Sequence, residues 1–164
     1  MGPDEDADTA TVLHVAAELA LARGVRMLEP AATELAAAER GVDHDRWFAA
    51  AVELKRQDLI ALQTAEPSHV VLLAITNAGL QRHLKATRPD LPAVRRRVAQ
   101  AAAAAAGLPA VALDEQVGEP PLLVECLLDH LVNQHRLTYS KAPGRRFRIH
   151  RVFSEAVGPR PESR

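Results

Sequence analysis

Apolar positions in this chain recur with two different periods. Over residues 9–23, Val12, Val15, Ala16 and Leu19 fall at helical spacing and Gly24 follows as a stop, which predicts a first helix. The run from Glu29 has Pro30 in its first turn, Ala32, Leu35 and Ala36 on its inner side, and Gly41 past its end; it predicts a second helix. Asp43 is a good N-cap for a third, over residues 44–57, with Trp47 or Phe48, Ala51, Val52 and Leu54 on the buried side. The period then shortens. "LIALQ" and "HVVLLAI" flank "TAEPS", the pattern of a hairpin over residues 59–75, and Thr76 caps a further helix, "NAGLQRHLKA", ending before Arg88-Pro89.

The proline-flanked "RPDLPAV" is the natural linker, with the division expected at residues 87–92. After it the order repeats. "AVRRRVAQAAAAAAG" predicts a helix stopped by Gly107, "ALDEQVG" allows barely two turns, and "LLVECLLDHLVNQHR" carries Leu123, Val124, Leu127, Leu128, Leu131 and Val132 in one helical stripe. "LTYS" and "RFRIHRV" are then two strands about the turn signal Pro143-Gly144. An offset of 77 lays Leu54 over Leu131, Gln57 over Gln134 and Ile75 over Val152 without a gap. The expected fold is mainly α with short β-hairpins, an α+β chain of two domains over residues 9–87 and 91–156, with residues 1–8 and 157–164 as flexible tails.

Composition narrows this further. Aromatic residues are only 3% of the 164, and alanine supplies much of the 48% that is hydrophobic, so the core is aliphatic and helix-rich. The lone Cys126 permits neither an intrachain disulfide nor a cysteine zinc framework, and fits a reducing cytoplasm. The acidic start "MGPDEDADTA" lacks the pattern of a secretion signal, and no apolar run approaches a membrane span. A net charge of −1 conceals an asymmetry: residues 1–80 hold 13 acidic and 6 basic side chains, residues 81–164 hold 8 and 14. The basic half suits a partner with a negative surface.

Helix, helix, tight turn, helix, hairpin resembles the winged helix-turn-helix superfamily. The third helix there ends in a leucine, a short polar run, a residue tolerant of left-handed backbone, and an apolar start to the wing. Leu54, Lys55-Arg56-Gln57, Asp58 and Leu59-Ile60 occupy that pattern, and Leu131, Val132-Asn133-Gln134, His135 and Arg136-Leu137 occupy it again. Glycine is frequent at the Asp58 and His135 positions in the family; both residue types here also visit the left-handed region more than most. "AITNAGLQRHL" resembles the exit from the wing in many bacterial winged-helix regulators.

The resemblance implies tandem winged-helix domains with the third helix in the major groove and the wing on phosphates. On the third helices, Arg46, Lys55, Arg56, Asn133 and Gln134 are then the candidate contacts, among carboxylates (Asp43, Glu53, Glu125, Asp129) that would repel phosphate. On the second wing, Lys141, Arg145, Arg146, Arg148 and Arg151 fall within eleven residues, and alternation sends Arg146, Arg148 and His150 to one side with Phe147, Ile149 and Val152 largely on the other. Arg95 and Arg96, with Arg82, Lys85 and Arg88, extend the positive stretch. No phosphate-binding glycine loop, dinucleotide fingerprint or nucleophile elbow is present, and Cys126, His130 and His135 lack the further ligands of a zinc site. The expectation is a cytoplasmic, non-enzymatic protein without metal or cofactor that binds double-stranded DNA as a transcriptional regulator or accessory factor. The rival is a protein-protein interaction module resembling the small winged-helix subunits of chromosome-segregation complexes. The first helices of both halves carry more apolar and small surface than one such domain needs, so the other domain or a second protomer, in a homodimer, is expected to cover one of them.

Overall fold

The computed structural model describes residues 3–66 and 69–153. The chain divides into two compact units, Met1–Thr87 and Arg88–Arg164. Among the described residues there are seven helices and five strands, the strands forming small antiparallel sheets. No helix among them is long and apolar enough to cross a membrane. Residues 157–164 lie outside the described residues.

Unit 1 contains α1 (Pro3–Arg23), β1 (Met27–Leu28), α2 (Pro30–Ala38), α3 (His44–Arg56), β2 (Ile60–Glu66), β3 (His69–Ile75) and α4 (Asn77–Thr87), with sheet order β1-β3-β2. Helix α1 begins at Pro3, not at Thr9, so most of the stretch expected to be a tail is helical. Carboxylates in the first turns favour a helix N-terminus. Asp8, only 8% exposed, also gains the guanidinium of Arg46, whose Nε and Nη2 bond its two oxygens.

The inner faces of α2 and α3 are rotated from those the pattern suggested. Thr33 and Ala37 are buried while Leu35 is 65% exposed, and Ala50 replaces Val52 beside Trp47, Ala51 and Leu54. In such alanine-rich segments the small residues fit either face, and the packing partner decides. Nothing in "RML" predicted β1 as a strand. Two residues carry no period, and β1 exists by pairing Met27 with Ala74 and Leu28 with Leu73.

The exit from α3 is closed by a Schellman arrangement. The Asp58 N–H bonds the Lys55 carbonyl and the Leu59 N–H bonds that of Leu54, which requires Asp58 at φ 55°. Beyond β3, Thr76 caps α4: its Oγ1 accepts the Gly79 N–H at 3.0 Å and lies 2.7 and 2.9 Å from the carbonyl oxygens of Asp58 and Leu59. This draws the start of α4 onto the α3 exit, so closely that Gly79 has no room for a side chain.

Unit 2 contains α5 (Leu91–Ala104), α6 (Leu113–Val117), α7 (Pro121–Asn133), β4 (Leu137–Ala142) and β5 (Arg146–Val152). Its α7 exit repeats that of α3 bond for bond at the 77-residue offset. His135 N–H bonds Val132, Arg136 N–H bonds Leu131, His135 sits at φ 57°, and Phe153 N–H bonds Arg136 as Thr76 N–H bonds Leu59. A left-handed backbone costs an L-residue roughly 1 kcal/mol that glycine avoids. Asp58→Gly and His135→Gly are therefore each expected to stabilise their unit by about 1 kcal/mol, read as a higher urea midpoint at unchanged slope. A lowered midpoint in both would mean that the side chains, not the backbone, hold these exits.

Acid should loosen unit 1. His83 on α4 is 7% exposed, and its ring lies 5.0 Å from that of His14 on α1, tilted 48° to it. Burial, and then the neighbouring His14, push the His83 imidazole below its usual range, with Glu18 opposing. The folded unit thus takes up this proton less readily than the unfolded chain, so stability falls as pH drops below about 6.5 and levels off once the folded value is passed. Glu18, held below the usual carboxylate range by its bond from Arg40, adds a second loss only below about 4.5. Urea titrations at about pH 7.5 and 5.5 should differ for the native chain and differ less in His83→Leu; equal differences would assign the acid sensitivity elsewhere.

Candidate nucleic-acid interface

The hairpin of unit 2 is built on a buried inner face. Leu137, Phe147 and Ile149 are buried, and Val111 adds a short third rung by exchanging two backbone bonds with Phe147, at 2.9 and 2.8 Å. Helix α7 fastens the other strand: the Tyr139 hydroxyl donates to Asp129 at 2.5 Å and the Lys141 ammonium lies 2.8 Å from Glu125.

On the outer face, cross-strand pairs are Ala142 with Arg146, Ser140 with Arg148, and Thr138 with Arg151. The register shifts between Thr138 and Tyr139, leaving His150 as the extra residue of a bulge. Strict alternation from Arg148 would send Arg151 inward with Ile149. The bulge instead brings it onto the outer face, so Arg146, Arg148 and Arg151 form one row, a feature that alternation alone could not reveal. Neighbours two residues apart on a strand are spaced by about 6.7 Å. Arg145 stands at the tip, at φ 59° beside Gly144 at φ 75°.

None of these four arginines has a carboxylate partner among the described residues. The Arg151 guanidinium lies 6.0 Å from the Phe153 ring centroid, and His150 Nε2 is 2.9 Å from Ser140 Oγ. All four are exposed. Exposed cations in a row with no carboxylate partner among the described residues create a local positive potential that carboxylate-paired ones would not.

The remaining candidates are placed differently. Lys141 is committed to Glu125 on the inner side. Arg46 is held by Asp8 and the Gly41 carbonyl, and Arg56 by both oxygens of Glu53, whose carboxyl this bond lowers to about 2. Lys55 is exposed without a carboxylate partner among the described residues. Asn133 and Gln134 are exposed at the end of α7, the Gln134 amide donating to His130. Arg96 is exposed and Arg95 half-buried. Arg88 and Arg97 share Glu119, with Arg88 also on Asp90. The structure therefore joins Arg145, Arg146, Arg148 and Arg151, and neutralises much of the rest. Cys126 is buried, and no cluster of three or more metal-ligating side chains occurs among the described residues.

Comparison with known proteins gives no relative: no family model, curated protein or solved structure matches this chain.

Proposed function

We propose that this chain is a tandem winged-helix protein that binds double-stranded DNA through its second hairpin, as a transcriptional regulator or accessory factor. The row Arg146, Arg148 and Arg151, with Arg145 at the tip, carries the reading: four exposed guanidinium groups lack carboxylate partners among the described residues, and phosphate oxygens accept from such forks in pairs. The repeated order of helices, left-handed exit and hairpin supports the winged-helix assignment of both units. Helices α3 and α7 carry Glu53, Glu125 and Asp129 where a reading helix carries free amides and cations, so the contacts fall on the backbone and affinity varies little with sequence. Such a role belongs in the cytoplasm, where the lone buried thiol of Cys126 stays reduced.

The decisive experiment is titration of a random duplex with the full chain at low and at moderate salt. Retardation at low salt that weakens steeply as salt rises is the expected result. No binding even at low salt would leave the second reading, a protein-interaction module. That reading draws on unit 1, where Met27 and Leu35 are exposed while Arg46 and Arg56 are paired with carboxylates; there the unit grips a partner chain or a second copy.

A further inference from the structure

Unit 1 holds an open recess of about 690 Å³ between α1, the end of α3 and α4. That volume lies within the range of small-molecule sites, roughly 300 to 1,000 Å³. Ala10 and Ala86, both exposed, are among its lining residues. Its lining includes Leu13 and His83, which keep a small exposed surface, while Leu54 lies fully buried beneath.

The polar groups converge on one side. Arg82 is exposed, and its Nη1 donates to the Gln57 side-chain amide oxygen Oε1 at 2.7 Å. That amide is itself anchored through its nitrogen to Glu53, at 2.6 Å. The guanidinium is thus positioned by a neutral group, has no carboxylate partner among the described residues, and keeps further N–H groups for a ligand. The other arginine of the lining, Arg40, is already bonded to Glu18 at 2.7 Å. His14 Nε2 lies 3.2 Å from the same carboxylate, and burial keeps His83 uncharged near neutrality. The lining also includes Asp6, so a ligand with several negative charges would meet a like charge.

We propose that this recess binds a small organic acid with one carboxylate and an apolar body. The carboxylate takes the fork of Arg82, and the body lies over Leu13 against the His83 ring. A ligand held there touches α1, the α3 end and α4 together, and so ties the hairpin exit to the first helix. The site belongs wholly to unit 1 and stands or falls independently of DNA binding by unit 2.

The test uses the full chain near neutral pH, with benzoate and hexanoate as probes and the neutral benzamide and hexanamide as matched controls. Calorimetry should give saturable one-to-one binding of both acids, with the amides at least about tenfold weaker because a charge-assisted pair is missing. Arg82→Gln should weaken both acids at least about tenfold while leaving the circular dichroism spectrum and melting temperature unchanged, because Arg82 is exposed. Lys55→Gln, which removes an exposed cation of the same unit outside the lining, one with no carboxylate partner among the described residues, should bind the acids as the native chain does. In the proton NMR spectrum, the His83 ring signals should move on saturation. The proposal is overturned if neither acid saturates, if amides bind as well as acids, if Arg82→Gln binds normally, or if Lys55→Gln weakens binding equally.

Discussion

Gly79→Ala should destabilise unit 1 by about 3 kcal/mol or more. A Cβ built at Gly79 would lie 2.0 Å from the Leu59 carbonyl oxygen and 3.2 Å from the Ile75 side chain. The first obstacle is backbone, so no rotamer change relieves it. Either α4 lifts off the α3 exit, losing the Thr76 cap and exposing Leu80 and Leu84, or the Schellman turn at Asp58 opens. Loss of the cap alone costs about 1 kcal/mol, and exposing either leucine adds more. Urea unfolding followed by circular dichroism measures this directly. A midpoint within error of the native chain would show that α4 does not sit on the hairpin exit as described.

The second large effect concerns DNA. Replacing Arg146, Arg148 and Arg151 together by Gln should lower the slope of log affinity against log salt by about 0.9 for each phosphate no longer neutralised, about 2.7 in all. Affinity should fall on every duplex alike, since phosphates carry no base information. Stability should change little, because these side chains are exposed and have no carboxylate partner among the described residues, and surface substitutions usually stay within about 0.5 kcal/mol. Arg145→Gly gives an internal check. It removes a tip cation while relieving a left-handed backbone, so affinity should drop as the urea midpoint rises. Opposite signs in one variant exclude unfolding as the cause of weaker binding. An unchanged salt slope in the triple variant would remove the wing from the interface.

How much of this was legible in the sequence depends on the range over which each feature is decided. The helices with long apolar stripes, α5 and α7, and both hairpins follow from local periodicity. The left-handed residues Asp58 and His135 were expected only from the resemblance of these helix exits to the winged-helix pattern, and both stand at positive φ. Features settled by distant partners were not legible. The β1 strand needs β3, the early start of α1 leans on Arg46 thirty-eight residues away, and the faces of α2 and α3 depend on what they pack against. At the candidate interface, the clustered arginines were visible as a run. Their division into paired and unpaired groups was not, because Glu125, Asp8 and Glu119 find their cations only in the folded chain. The bulge at His150 is a one-residue slip, and a slip of that size changes which face a side chain takes without disturbing the composition.

The two ties between α7 and the hairpin, Tyr139 to Asp129 and Lys141 to Glu125, have a kinetic meaning. They turn the same carboxylates that would oppose a polyanion into struts that stiffen the strand beneath the arginine row. If the hairpin binds DNA as proposed, a stiff comb of charges loses little conformational freedom in the complex, and that gain is kept for as long as the complex lasts. Tyr139→Phe cuts one strut and leaves every arginine in place. Its signature belongs in the lifetime of the complex, shortened, with the rate of first encounter left as it was.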